Sequence, residues 1–289
     1  MAPHKLTSAQ LISLVSSVFP PLPQDRKLAV LVDLPSAHEA DNEPWRTRRD
    51  FAAEMKASLA AGASQLRLEE VLLVAYEAVG TNNGDLPEFC YLLEGPLPET
   101  AQGLRGRPGR TETAALFAGC QLFIAPTEYS ATAPLKIAAR SHGFRAATMP
   151  GFSAEMIPAL QIDYAEVARR LNLLKEKLDP AESASILFLV RGIDHYFFDI
   201  DLRYRATHIS AGRFPEAGMV GNLPSGEAYI VPYEGENEPP SRTRGELPVQ
   251  FGGEIVLYHV EKNRARSAFG SGPAARAENE RLLAEPAYG

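Results

Sequence analysis

The sequence predicts an α/β protein: an amino-terminal domain on a mostly parallel sheet, then a smaller β-rich (α+β) domain whose sheet is left incomplete. Two patterns and one size argument carry this. Up to about Pro180, short wholly apolar runs alternate with stretches of helical spacing, the signature of parallel strands covered on both faces by helices. From about residue 184 the pattern switches to a period of two, as in antiparallel sheet with one buried side. The chain has 289 residues, 45% hydrophobic and 22% charged. It is therefore long enough to bury its own core without staples and too apolar to be chiefly disordered. The boundary is expected near 180–185, giving an α/β domain over 1–183 and a β-rich domain over 184–289.

Taken in order, Leu6 to Val18 has helical spacing and is stopped by Pro20-Pro21-Leu22-Pro23. Lys27 to Leu34 (KLAVLVDL) reads as a strand buried on both faces. Trp45 to Ala61 reads as a helix closed by Gly62, and Glu70 to Tyr76 as a second buried strand. A short helix over Thr111–Gly119, a strand over Leu122–Ala125, a helix over Pro134–His142 and a strand over Phe144–Thr148 follow. Asp163 to Leu178 is amphipathic, with Val167, Leu171, Leu174 and Leu178 on one stripe. Ile186 to Val190 is a strand, and Arg191-Gly192-Ile193-Asp194 supplies a turn. In the long strand after it, Tyr196, Phe198, Ile200, Leu202 and Tyr204 share one face; His195, Asp199, Asp201 and Arg203 share the other. Ala228–Pro232 and Glu254–Val260 are further strands, and Ala274–Leu283 a polar helix.

Charge and cysteine content narrow the function classes. Twenty-nine Lys and Arg against 36 Asp and Glu give a net charge of −7, the wrong sign for a general nucleic-acid binder. Two cysteines, Cys90 and Cys120, make no disulfide framework and are expected to be buried and inert in a reducing compartment. No apolar run approaches the ~18 residues of a membrane span. The first twenty residues lack the layout of a secretory signal. The expectation is a cytoplasmic protein bound to neither nucleic acid nor membrane.

The most unusual local text is Gly221-Asn222-Leu223-Pro224-Ser225-Gly226-Glu227, running on into Ala228-Tyr229-Ile230-Val231-Pro232. A Pro-Ser-Gly turn delivers Glu227 to the mouth of a strand, where a carboxylate is held by fixed backbone and is suited to be a metal ligand or general base. The passage Phe214 to Tyr233 (FPEAGMVGNLPSGEAYIVPY) resembles the signature of the thermophilic metallopeptidase family, the aminopeptidase T or leucyl aminopeptidase type. Met149-Pro150-Gly151-Phe152-Ser153-Ala154-Glu155-Met156, followed by the helix DYAEVARRLNLLKEKL, resembles it too, in the same order and separation. The resemblance covers residues 120–289, and the first 120 in layout. It implies an α/β and then a β-rich domain, a homodimer, and a peptide substrate. It also implies divalent metal ions (zinc, cobalt or manganese) that activate water against the first peptide bond. Glu227 matches the first metal-binding glutamate. Ala284-Glu285-Pro286-Ala287-Tyr288-Gly289 resembles the text just before the next motif, so the remaining ligands would fall beyond Gly289. A single carboxylate cannot hold a two-metal centre, so the expectation is a truncated chain with impaired or absent aminopeptidase activity. Two alternatives stay open: a non-haem iron dioxygenase that opens hydroxylated pyridine rings, from the same fold family, or a non-catalytic binding homologue.

Other constellations are weaker. His195, Asp199 and Asp201 share a strand face, but residues two apart lie about 7 Å apart along a strand, and a solvent-facing polar stripe is the expected reading. His208 reads as a strand-end residue, and His4, His38, His142 and His259 show no ligand spacing. The glycines and arginines of Gly103–Arg110 match neither GxGxxG nor a P-loop and read as a surface loop. Trp45-Arg46-Thr47-Arg48-Arg49 reads as a solvated basic helix start or a subunit contact. Neither HExxH nor GxSxG is present.

Overall fold

The computed structural model describes residues 5–284. In chain order its elements are α1 (Ser8–Val18), β1 (Lys27–Leu34), α2 (Glu43–Ala61), β2 (Glu70–Glu77), β3 (Phe89–Leu92), β4 (Arg110–Glu112) and α3 (Thr113–Gly119). They continue with β5 (Leu122–Ala125), α4 (Thr132–His142), β6 (Arg145–Thr148), α5 (Ile157–Leu160), α6 (Tyr164–Leu178), β7 (Ser183–Val190) and β8 (Asp194–Asp201). The last are β9 (His208–Ser210), β10 (Val220–Asn222), β11 (Glu227–Tyr229), β12 (Arg244–Phe251), β13 (Glu254–Glu261), β14 (Arg264–Phe269) and α7 (Pro273–Ala284). Two compact units interleave along this order: residues up to Leu171 with Ser210–Glu227, and Asn172–Ile209 with Ala228 onward. The sequence reading places one boundary, between 183 and 184. None of the helices is long and apolar enough to cross a membrane, among the described residues.

The first unit is built on a seven-stranded sheet of order β10-β6-β5-β1-β2-β3-β4. β10, β6, β5, β1 and β2 pair in parallel, whereas β3 and β4 run antiparallel at one edge. The apolar run of β1 explains its central place, because every residue from Leu28 to Leu34 is buried. Its alternation divides the core in two. Leu28, Val30, Val32 and Leu34 face Leu11 and Val15 of α1 and Phe51, Met55 and Leu59 of α2. Ala29 and Leu31 face Leu116 and Phe117 of α3 and Leu135 and Ala139 of α4. Each fully buried aliphatic side chain contributes about 1.5–3 kcal/mol by leaving water.

The helix ends are set by local chemistry. Thr7 caps α1 in a reciprocal capping box with Gln10. Asn42 caps α2 by accepting the Trp45 amide at 3.1 Å, with Pro44 in the first turn.

The second unit carries a five-stranded sheet, β14-β13-β12-β8-β7, in which every pairing is antiparallel. Its core is small: Val256, Tyr258, Val260 and Ala268, closed by Ala275 of α7. Glu254 seats that helix by accepting the amides of Gly272, Ala274 and Ala275 at 3.0, 3.0 and 3.2 Å. The strand β7, SASILFLV, lies at the sheet edge, with Leu187 54% and Leu189 59% exposed. Phe197 of β8, directly across from Leu187, is 65% exposed.

The α/β and then β-rich class is therefore as the sequence predicts. β3, β4, β10, β12 and β14 escape the periodicity reading. β12 contains Pro248, which ordinarily argues against a strand. The structure accommodates it because β12 pairs with β8 only through Arg244 and Gly245, so the missing amide hydrogen interrupts no bond on that side. The tract Ala228–Pro232 gives a strand only as far as Tyr229.

A buried guanidinium is one of the ties on the segment Ser210–Glu227 within the first unit, beside the Phe214 amide to the Val18 carbonyl at 2.7 Å and the pairing of β10 with β6. Arg145 of β6, 1% exposed, donates to Asp25 Oδ2 at 2.5 Å, to the Pro20 carbonyl at 2.9 Å and to the Phe214 carbonyl at 2.8 Å. Arg145→Met leaves a buried carboxylate and two carbonyls without their donor. It is expected to cost about 3–5 kcal/mol, read as a lowered urea midpoint at unchanged slope.

Candidate functional site

The turn before Glu227 is held at several points. Leu223, 3% exposed, donates its amide to the Thr148 carbonyl at 2.8 Å, which carries β10 onto β6. The Leu223–Pro224 bond is cis. Ser225 Oγ donates to the Ser210 carbonyl at 2.8 Å and lies 2.7 Å from Ser210 Oγ. Glu227 then opens β11, which pairs with β9, and its exposed carboxylate has no hydrogen bond or ion pair among the described residues. The turn fixes its backbone as the spacing predicts.

A metal centre needs convergent donors, and the described residues contain no group of three or more His, Cys, Asp or Glu able to hold an ion. The donor set present does not fit a two-metal centre. The other sequence candidates have structural occupations. Asp201 is buried, not solvent-facing. It takes a two-pronged contact from Arg203 at 2.9 and 2.7 Å and the Arg242 amide at 2.8 Å, and the Arg203 contact draws its carboxyl down to about 2. Asp199 accepts Ser185 Oγ at 2.6 Å, and His195 stands opposite Leu189. His208 stacks on Tyr229 at 5.2 Å, and His142 lies 6.0 Å from Phe117. His259 pairs across the ladder with Glu246, and His38 sits in the loop after β1. His4 and residues 285–289 lie outside the described residues. Cys90 and Cys120 are buried, and burial pushes both thiols up, Cys120 to about 11, the opposite of an activated nucleophile.

One constellation was not visible in the sequence. β1 and β5 are neighbours whose outgoing connections run to opposite sides of the sheet, β1 to β2 and β5 to β6; between them is the switch point beyond whose carboxyl ends open α/β sheets bind ligands. Asp33, 1% exposed near the end of β1, accepts the amides of Glu128 at 2.8 Å and Tyr129 at 3.1 Å. Burial pushes its carboxyl up to about 7, against the pull of the Tyr129 amide and of Arg48. Arg48, 2% exposed, binds Glu128 and reaches the Phe152 carbonyl at 3.4 Å, while its Nε is buried without a partner. The Glu39 carboxylate accepts the Tyr129 hydroxyl, and Trp45 packs edge-on against that ring at 6.4 Å. Arg49 is buried as well, forked onto Asp41 at 2.7 and 2.8 Å. The basic start of α2 is therefore in part an internal ion-pair layer, not a solvated face. The signal that could have found it is the spacing of Arg48, Arg49, Ala52 and Met55, which share one buried face of α2.

No protein-family model matches the sequence, and no curated protein matches it either. Two solved structures are similar. The 2,5-dihydroxypyridine dioxygenase of Pseudomonas putida KT2440 matches with a TM-score of 0.55 at 16% identity, over 96% of this chain and 72% of that one. AmpT of Thermus thermophilus matches with a TM-score of 0.45 at 12% identity, over 96% and 74%. The class so defined is a fold: an α/β unit with a β-rich partner, of the architecture seen in that dioxygenase. At these identities the relation is one of fold.

The sign of the Asp33 shift is testable. A carboxyl raised in the folded state contributes stability that is complete below its unfolded value near 4 and is lost as pH rises through about 7. The 13C signal of the Asp33 carboxyl is expected to titrate near pH 7. A midpoint at or below 4 would mean that the two amides and Arg48 outweigh burial.

Proposed function

We propose that this chain is a metal-dependent aminopeptidase-like protein in which Glu227 supplies one carboxylate to a divalent-metal site, and that its described residues alone support little or no peptide hydrolysis. The observation that carries the reading is the turn Asn222–Glu227. Backbone and Ser225–Ser210 contacts fix the strand entrance, and the carboxylate placed there engages no internal partner among the described residues. A surface glutamate kept only for solubility needs no such fixed approach. Zinc, cobalt or manganese would suit an oxygen ligand joined by imidazole or further carboxylates. The chain's own contribution is to fix the backbone from which the carboxylate projects.

A second reading has its own support, because the dioxygenase fold spans 96% of the chain. It makes the ligand iron and the substrate a hydroxylated pyridine ring. A non-catalytic binding homologue without the metal centre is a third and separate reading.

Calorimetric titration of the full chain with zinc or cobalt is expected to show weak binding that Glu227→Gln reduces at least about threefold, roughly the loss of one modest interaction. Hydrolysis of leucine p-nitroanilide should stay near background with either metal. Equal metal binding by the Glu227→Gln variant, or vigorous metal-dependent turnover by the unaltered chain, would overturn the proposal. Iron-dependent oxygen uptake on 2,5-dihydroxypyridine would favour the second reading.

A further inference from the structure

Asn83 is the only asparagine of the chain followed by glycine. It lies exposed in the loop after β2, at the corner of a turn, with φ +62°. That left-handed position is one asparagine tolerates better than most residues. The turn closes loosely, because the Gly84 amide reaches the Thr81 carbonyl only at 3.5 Å, long for a hydrogen bond. It also needs its glycine. A Cβ on Gly84 would stand 2.9 Å from Thr81 Cγ2 and 3.2 Å from Val79 Cγ2.

The Asn83 side chain caps a helix from outside it. Ala131 stands at the cap position of α4 and offers no side-chain acceptor. Ser130 Oγ accepts the Thr132 amide at 3.3 Å, and Pro134 has no amide hydrogen. The Ala133 amide is left to Asn83 Oδ1, which accepts it at 3.1 Å. Oδ1 also takes the Ser130 hydroxyl at 3.1 Å, while the Asn83 amide donates to the Ser130 carbonyl at 2.7 Å. Both side-chain bonds run through Oδ1, so Nδ2 engages no partner among the described residues.

We propose that Asn83 is a covalent modification site, at which intramolecular deamidation of the Asn83–Gly84 pair turns the cap of α4 into a carboxylate. As the turn opens, the Gly84 nitrogen gives its proton to hydroxide and attacks Asn83 Cγ. Glycine permits this approach because no side chain shields its nitrogen. The Cγ–Nδ2 bond breaks, and the exposed nitrogen takes a proton from water and leaves as ammonia. A cyclic imide remains. Water adds to one or the other imide carbonyl and reopens the ring, giving aspartate or isoaspartate; nothing is oxidised or reduced. The two products act oppositely on α4. Aspartate keeps the acceptor and sets a negative charge at the positive end of the helix. Isoaspartate inserts a methylene into the main chain and withdraws the acceptor. Thr132, beside the capped amide, donates its hydroxyl to Asn222 Oδ1 at 2.8 Å. The altered cap therefore lies one residue from a support of the turn before Glu227, although the proposal does not rest on the metallopeptidase reading.

The test incubates the full, folded chain at mildly alkaline pH, with a urea-unfolded sample beside it. Peptides are mapped by mass, with fragmentation that tells isoaspartate from aspartate. In the folded chain Asn83 is expected to gain the mass that separates an acid from its amide at least about tenfold faster than any other asparagine, a barrier lower by roughly 1.4 kcal/mol. The rate should rise with hydroxide, and isoaspartate should appear alongside aspartate. Two variants read the cap by melting temperature. Asn83→Asp copies one product and is expected to melt no lower than the unaltered chain. Asn83→Gly keeps the left-handed turn without an acceptor and is expected to melt lower. An Asn83 that stays an amide when folded while it converts in urea would overturn the proposal. So would conversion no faster than at the other asparagines, aspartate with no isoaspartate, or an Asn83→Asp variant that melts with Asn83→Gly.

Discussion

The arrangement around Glu227 depends on a buried guanidinium. Arg145 sits on β6 with almost no exposure and gathers Asp25 and Pro20, from the loop before β1, and Phe214, far from both in sequence, around a single charge. A buried arginine is tolerable only when its donors are matched, and here an ion pair and two carbonyls do so. The geometric result is that the returning segment Ser210–Glu227 packs within the first unit. β10 can then extend the parallel sheet through Val220–Asn222. That anchor acts together with the β10–β6 pairing and the Leu223 amide bond to Thr148 in placing the turn after β10 and the Ser225–Ser210 contact.

How much of this was legible depends on how locally each element is determined. β1 and β2 were readable because burial on both faces writes an uninterrupted apolar run, and α1, α2 and α6 because their stripes and caps are written within a few turns. β10 was not readable: Val220-Gly221-Asn222 has no strand character of its own and is a strand because Ala146–Thr148 lie beside it. β12 was hidden by Pro248, whose tolerance depends on how far the neighbouring strand extends. These are decisions made by tertiary pairing, beyond the reach of a short window.

The candidate sites divide the same way. The turn at Asn222–Glu227 was legible because Pro, Ser and Gly punctuate it and a strand follows. The Asp33 and Arg48 network was not, since its members come from β1, α2 and the loop after β5 and meet only through the sheet order. The arginines of α2 misled in an instructive manner. Charge at a helix start is solvated in most proteins, yet here Arg48 and Arg49 turn inward because Glu128 and Asp41 are waiting for them. Asp201 misled likewise, its period-two position suggesting water where Arg203 in fact encloses it.

One feature of the second unit bears on how the molecule behaves in company. Eight consecutive residues of β7 carry neither charge, proline nor glycine, and they end a sheet with one row of amide and carbonyl groups unclaimed by any other strand among the described residues. Natural edge strands normally carry some deterrent against pairing with strangers. This one has none, so its open edge, with Leu187 and Leu189 exposed, is a template on which a strand of another molecule can add, and self-association is the liability that this strand carries.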